Sequence, residues 1–287
     1  MATFNTTRLI SQVNLKGALP EGRFTDQEIL DLASDALISE IAPMLVASRE
    51  EFYVWDKDHT VTASQAAYAI PHRAVGATLR EVKLVSGTKI TDLIRIDPEE
   101  IESTETGSPT SFYLKGNNVV LYPTPNATGD TLRLSYFIRP NSLVPTSECG
   151  QITAISTNTL TVTVPTGWST SDTFDLIQGS SGYVIKGIDL TATQVNAGSI
   201  VMTATPPSDL VVGDYISLAG EACFPHIPAD AHQLLVQLTV VSCLEAMGDL
   251  VNLAPAQARA NALRDAFKAL LSSRIQGAPR KFTSALI

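Results

Sequence analysis

The clearest alternation of polar and apolar residues lies between Ser111 and Pro140. It predicts three antiparallel strands: Ser111–Lys115 and Val119–Pro123, joined by a tight turn at Gly116–Asn118, and then Thr131–Arg139. The third strand places apolar side chains on one face and Arg or Ser side chains on most of the other. We therefore predict a half-buried β meander around which the rest of the chain is arranged.

Helical spacing of apolar residues is found before and after this meander. The first helix begins after Thr25, and Glu28 follows three residues later, which is the pattern of a capping box. Pro43 has no amide hydrogen, so we expect it to end or kink this helix. Residues 1–23 are polar and rich in turn formers, and they predict an extended arm.

A second pair of helices follows Pro225. The first carries a wide apolar stripe and reaches a C-terminal cap at Gly248. The second is predicted to begin at Pro255, in the first helical position, and to end at about Ile275. Because the link between them is short, the two helices are expected to pack antiparallel.

Residues 151–220 contain few helix formers and many short runs rich in Thr, Val and Ile. Regular short strands of this kind predict a small barrel or sandwich. Ser169–Gly179 and Pro207–Gly220 form a faint repeat, since each places an Asp before a strand that ends in Gly. The predicted fold class is α+β, a helical bundle with a β meander and an inserted all-β domain. The predicted boundaries are residues 1–147 for the body, 148–225 for the β domain, 226–276 for the closing helix pair and 277–287 for a tail.

Charge and composition narrow the functions that the chain can have. The net charge of −9 disfavours a protein that grips nucleic acid through its phosphates. No apolar run is long enough to span a membrane, and the first residues do not resemble a signal peptide. Cys149, Cys223 and Cys243 lack the spacing of a disulfide framework or a zinc site, and we interpret them as buried thiols of a reducing compartment.

Candidate chemistry is sparse, and we predict neither an enzyme nor a bound cofactor or metal. The acidic pair Glu99 and Glu100 could bind a cation, but acidic residues at a helix start explain it better. The glycines of 179–182 are better explained by a hairpin turn than by a phosphate-binding loop. For His226 and His232 we expect structural or surface roles.

Aromatic and cationic residues offer possible contacts with partners. Four aromatic residues could stack on sugars or bases, but a core or subunit-interface role fits an acidic chain better; they are Phe52, Tyr53, Trp55 and Tyr68. Arg80, Arg133 and Arg139 could face a partner or solvent. Trp168 and Tyr183 would form the platform if the β domain bound a glycan or a fibre protein.

The last residues form a short segment in which cations are followed by apolar side chains. Such a segment either frays or docks on a partner, by strand addition or as anchors in a groove. We predict binding here, through Arg280, Lys281, Phe282, Leu286 and Ile287.

The order of these elements resembles that of the head-to-tail adaptor, or connector, proteins of tailed bacteriophages. The resemblance covers roughly Phe24–Leu143 and His226–Gln276. It rests on the helix TDQEILDLASDALISEIAPML, the segment IPHRAVGATLREVKLV, the strands FYLKGNNVVLYPTP and LRLSYFIRP, and the closing helix pair.

The resemblance implies a structural virion protein, made in the host cytoplasm and located in the neck between capsid and tail. It implies a ring, typically of twelve copies, beneath the portal protein, with the tail of each chain reaching into the portal. The other expected partner is a tail, nozzle or tail-tube protein, and double-stranded DNA would pass through the channel without specific binding during packaging and ejection. The alternative is a tail or baseplate module whose β domain contacts glycan or fibre proteins.

Overall fold

The computed structural model describes residues 4–48, 52–101, 104–179 and 184–271. Contacts divide them into two compact units, one made of residues 52–140 and the other of the residues on both sides of that segment. The chain combines α-helices, mostly antiparallel sheets and a closed barrel. This confirms the predicted α+β class with an all-β barrel.

The helices all lie in the discontinuous unit, and α4 is its centre. The described residues form α1 (Thr6–Gly17), α2 (Asp26–Ala36), α3 (Ala42–Ser48), α4 (His232–Met247) and α5 (Leu250–Leu270). Helix α4 packs against α1, α2 and α5. Because it has neighbours on several sides, apolar residues occur around most of its circumference.

Helix α1 corrects the prediction of an extended arm at residues 1–23. Asn5 caps the helix by accepting a hydrogen bond from the Arg8 amide at 3.0 Å. Leu9 and Val13, one turn apart, are fully buried. The helical spacing of these apolar residues outweighs the polar composition of the segment.

Helix α2 begins with the predicted capping box, which is confirmed. The Glu28 amide donates to the Thr25 hydroxyl at 3.2 Å, and the Glu28 carboxylate accepts from the Thr25 amide at 2.7 Å. Leu37–Ile41 form one π-helical segment that joins α2 to α3. The chain therefore continues past Pro43 as a helix, and the irregularity lies in the turn before it.

Gly248 ends α4 in the left-handed conformation, as predicted, with φ at 71°. The predicted start of the next helix at Pro255 is wrong, because α5 begins at Leu250 with Asp249 as its N-cap. Pro255 lies inside the helix and leaves the Val251 carbonyl without a helical donor. The loss is tolerated because this turn faces solvent, where water can bond to the carbonyl.

The continuous unit contains two four-stranded sheets and one short strand pair. Its strands are β1 (Val54–Thr60), β2 (Ala67–Ala69), β3 (Ala74–Ser86), β4 (Lys89–Asp92), β5 (Ile94–Arg95), β6 (Thr106–Gly107), β7 (Ser111–Lys115), β8 (Asn118–Tyr122), β9 (Thr124–Pro125) and β10 (Thr131–Ile138). The sheet orders are β1-β10-β3-β4 and β2-β8-β7-β5, and β6 pairs with β9.

This topology confirms the predicted hairpin, formed by β7 and β8, but not the predicted meander. Strand β10 does not pair with β8. It lies between β1 and β3 in the other sheet, where Leu132 faces Leu84 and Leu134 faces Val82. The buried face of β10 is the predicted one, because alternation fixes the face of a strand without fixing its partner.

The inserted β region is a closed six-stranded barrel with a short stem. Its strands are β11 (Ser142–Leu143), β12 (Gly150–Ser156), β13 (Thr159–Val162), β14 (Thr173–Ile177), β15 (Ile185–Asn196), β16 (Ser199–Met202), β17 (Tyr215–Leu218) and β18 (Glu221–Ala222). The barrel order is β12-β13-β16-β15-β14-β17. Strands β11 and β18 pair in parallel and hold the entry and exit of the barrel side by side.

The barrel is an internal duplication. Exchanging β12 for β15, β13 for β16 and β14 for β17 reproduces the same set of neighbours. Both hairpins have one bulge at the same place, with Ile152 opposite Val162 in the first and Ala192 opposite Met202 in the second. The faint repeat in the sequence thus marks the final strand of each half, and β14 and β17 lie next to each other.

Ser34 ties the barrel stem to α2. Its hydroxyl donates to the Leu30 carbonyl at 2.7 Å and accepts from the Leu143 amide at 2.8 Å. The group is buried, so water does not replace it.

Replacing Ser34 by alanine is expected to lower the free energy of unfolding by about 1–3 kcal/mol, because the Leu143 amide loses its buried acceptor. Ser39→Ala is the matched control, since the Ser39 hydroxyl bonds to the Asp35 carbonyl on an exposed turn. Urea denaturation of both variants measures the difference. Equal losses would show that the stem bond does not contribute.

Candidate functional site

The two candidate histidines are both part of the packed interior. His226 is buried, and its Nδ1 accepts from the Asn141 amide at 3.4 Å. His232 stacks on Phe4 with ring centroids 4.0 Å apart. Burial lowers the pKa of His232 to about 4, so the ring is neutral at physiological pH.

The three cysteines are buried and reduced. A hydrogen bond with the Cys223 side chain, together with burial, raises the pKa of Cys149, and burial raises that of Cys243 to about 11. Such thiols remain protonated and are poor nucleophiles. They serve as small apolar side chains, and Cys149 and Cys223 lie in one cluster with Phe224 beside the stem.

The acidic residues in the described part of the chain form no group of three or more with His or Cys that could hold a metal ion. Glu99 lies in a 3₁₀ turn, Pro98–Glu100, and its amide donates to the Asp97 carboxylate that caps the turn. Asp175 is completely buried but accepts from the Asn141 side chain at 2.7 Å and from the Gly220 amide at 3.0 Å. These bonds join β14 to the residues directly before the stem strands β11 and β18. Most of the 179–182 turn lies outside the described residues.

The aromatic residues singled out in the sequence are placed in or against the core. Phe52 and Tyr68 are buried, and Phe52 meets the ring of Tyr53 edge-on at 5.2 Å. Trp168 is half-buried and packs on Phe174 of the barrel core at 5.2 Å. It therefore does not stand out as a flat stacking platform, and Tyr183 lies outside the described residues.

The three candidate arginines have different surroundings. Arg133 makes a two-pronged contact with Asp58, with both N–O distances 2.8 Å, and this contact lowers the pKa of Asp58. Arg139 is exposed. Arg80 is exposed and lines an open groove of about 700 Å³ between β3 and β7, together with Glu81, Lys83 and other residues. The mixed charges and openness of this groove are unlike an enclosed small-molecule site.

Large exposed apolar side chains occur on both units and on the barrel. Val75, Ile90, Ile94 and Leu114 lie on the continuous unit, Val211 and Val212 on a barrel loop, and Leu15, Leu250, Val251 and Leu270 on the helices. Exposed apolar surface of this extent is typical of proteins that bind other proteins. The helical part of this surface was not predicted, because helical spacing indicates which residues are apolar but not which chain covers them.

The predicted docking tail lies outside the described residues, and its role stays a prediction. In the described part of the chain no helix is both long and apolar enough to cross a membrane.

Comparison with protein families gives one finding. Residues 5–168, more than half of the chain, match the family model of the SU10 adaptor protein. The match begins before α1, includes the whole continuous unit and ends after β13 in the first half of the barrel. Comparison with curated proteins gives no significant match.

Proposed function

Because the chain belongs to the SU10 adaptor protein family and is a phage structural adaptor, we propose that it forms a ring joining the portal to the tail. The ring has twelve copies, and the genome passes through its channel during packaging and ejection. The family match carries this proposal. It spans the first three helices and the continuous unit, which include the first of the two segments that the sequence resemblance covered.

The distribution of apolar surface supports assembly into a ring. A closed ring of identical chains needs two different complementary surfaces on every copy. The discontinuous unit carries two separate exposed apolar patches. One lies on α5, at Leu250 and Val251, and the other lies on a barrel loop, at Val211 and Val212. Contacts with neighbouring copies, the portal and the tail protein would each cover some of this surface.

The charge of the chain supports passage of DNA without specific binding. At a net charge of −9, a ring of identical copies is strongly acidic. Such a channel gains little from releasing counterions of the DNA backbone, so the duplex is not held in place.

The direct test is the native mass of the full chain, measured alone and after co-expression with the portal protein of the same phage. We expect a ring-sized complex with the portal. A chain that associates neither with itself nor with the portal would overturn the proposal.

The tail supplies a separate prediction. A chain lacking residues 280–287 is expected to keep its fold and to lose at least tenfold in affinity for the portal, because the apolar anchors are removed. The matched control replaces only Thr283 and Ser284 by alanine, which leaves all five predicted docking residues in place and is expected to keep portal binding. Portal binding by the truncated chain at the level of the full chain would show that the tail is not the docking segment.

A further inference from the structure

The outward face of α5 carries apolar residues along most of its length and is interrupted by the exposed Asn261 and Asp265. Leu250, Val251 and Leu270 are 76%, 84% and 60% exposed. The smaller apolar residues at exposed positions between them are Ala254, Pro255, Ala258, Ala262, Ala266 and Ala269. On a helix that faced only solvent these positions would be mostly polar, so this face is built for a partner.

Cations border this apolar face. Arg259 and Lys268 are exposed on α5, and the helical repeat places them on opposite edges of the face. Arg259 also lies near Lys16 at the end of α1, where its charge, after burial, lowers the pKa of Lys16. Neither Arg259 nor Lys16 forms an ion pair with a carboxylate in the described part of the chain. The two like charges side by side favour an acidic partner.

A face of the opposite charge lies on α2. Glu28, Asp31 and Asp35 are exposed, and helical spacing directs all three away from the buried side of α2. Asp31 accepts from the Gln27 side chain at 2.7 Å, and neither Asp31 nor Asp35 has a cationic partner among the described residues. Glu28 also closes the capping box of α2, but Asp31 and Asp35 lie one turn apart and repel each other, so an isolated copy gains nothing from this second pair.

We propose that the α5 face of one copy docks on the α2 face of the next copy in the ring, with Lys16 and Arg259 facing Asp31 and Asp35. The proposal rests on the proposed function and names the contact that closes the ring. The α5 face runs along a helix of 21 residues, about 30 Å, and the acidic α2 face, from Glu28 to Asp35, covers about 10 Å. The contact is heterologous, because two different surfaces of the same chain meet.

The experiment is a charge exchange in the full chain, with assembly measured by native mass spectrometry in the presence of the portal protein. Two variants reverse one face each: Asp31→Lys with Asp35→Lys, and Lys16→Glu with Arg259→Glu. Each is expected to raise the protein concentration needed for half assembly at least tenfold, because like charges then meet at every junction. The chain that carries all four substitutions is expected to regain assembly, which also shows that both faces remain folded.

Two controls separate the contact from general effects of charge. Glu99→Lys makes the same kind of charge change at an exposed position of the continuous unit and is expected to leave assembly unchanged. Ala262→Glu puts a carboxylate in the middle of the α5 face and is expected to block assembly, whereas Ala246→Glu at an exposed position of α4 is not.

The outcomes distinguish this inference from the proposed function. Rings of normal mass and stability from both reversed variants would overturn the inference and leave the adaptor function intact. Intact rings that no longer bind the portal would also overturn it, since the faces would then belong to the portal contact. A wild-type chain that stays monomeric with the portal would overturn both.

Discussion

Asp214→Ala is expected to lower the free energy of unfolding of the barrel by about 3–5 kcal/mol, because the substitution leaves a buried charge unpaired. The Lys186 ammonium donates to the Asp214 carboxylate at 2.8 Å, and the two side chains are 5% and 2% exposed. The same carboxylate accepts from the amides of Val211 at 2.9 Å and Gly179 at 3.0 Å. Removing the carboxylate therefore leaves the ammonium without a counter-ion, with the Asp209 carbonyl as its remaining acceptor, and takes the acceptor from two amides.

The internal duplication provides the matched control. Asp172 occupies the equivalent position before β14 and accepts from the Ser169 amide at 2.7 Å, just as Asp214 accepts from the amide three residues before it. Asp172 is not fully buried and has no ion pair with a described cation. The Asp172 carboxylate also accepts from the Ser169 hydroxyl at 3.0 Å, so Asp172→Ala removes two turn hydrogen bonds and should cost about 1–2 kcal/mol.

Tryptophan fluorescence can follow the barrel by itself. The chain has two tryptophans, and Trp168 packs on the barrel core. In a Trp55→Phe background, urea unfolding followed at Trp168 compares the two aspartate variants. If the two variants lose free energies of unfolding within about 1 kcal/mol of each other, the ion pair of Lys186 with Asp214 adds little to the stability that the turn hydrogen bonds give. Partial recovery in Asp214→Asn with Lys186→Met is expected, because the ammonium is then also gone.

Much of the fold could be predicted because local physics decides it. The capping box at Thr25, the cap at Gly248 and the turn between β7 and β8 each follow from a few neighbouring residues. The partner of β10 could not be predicted in this way, since two strands with the same alternation compete for it. Helix α1 was not predicted because Gly17, Pro20 and Gly22 are typical of loops, whereas they follow or end a helix whose apolar residues Leu9 and Val13 are one turn apart.

The candidate interaction surface was harder to predict than the fold. An apolar residue on a helix indicates burial, but the sequence does not say whether its own chain or another chain covers it. On α5, Ala260 and Phe267 face α4, whereas Ala258 and Ala262 are exposed. Only the position of α4 separates these two sets. The sequence could reveal the second set through its spacing, once the buried face is known.

His232 makes the stability of the helical unit depend on pH. Burial holds the pKa of His232 at about 4, below its usual value near 6.5. Between these values the unfolded chain binds a proton that the folded chain does not, so stability is lost as pH falls from about 6.5 to about 4. Because the imidazole ring is only partly buried, the expected loss in the free energy of unfolding is about 2 kcal/mol, less than a fully buried imidazole would give. Nearby Asp230 opposes the shift and Arg8 adds to it.

His232→Phe isolates this contribution, since phenylalanine keeps a ring against Phe4 but does not titrate. The variant is expected to lose less stability than the wild-type chain between pH 7 and pH 4.5, although it gives up one hydrogen bond at every pH. Circular dichroism of the helices during urea unfolding measures both profiles. The control is His72→Phe at an exposed position of the other unit. Parallel profiles for wild type and His232→Phe would mean that the His232 ring takes up its proton equally well in the folded chain, and that stacking on Phe4 does not exclude the charged form.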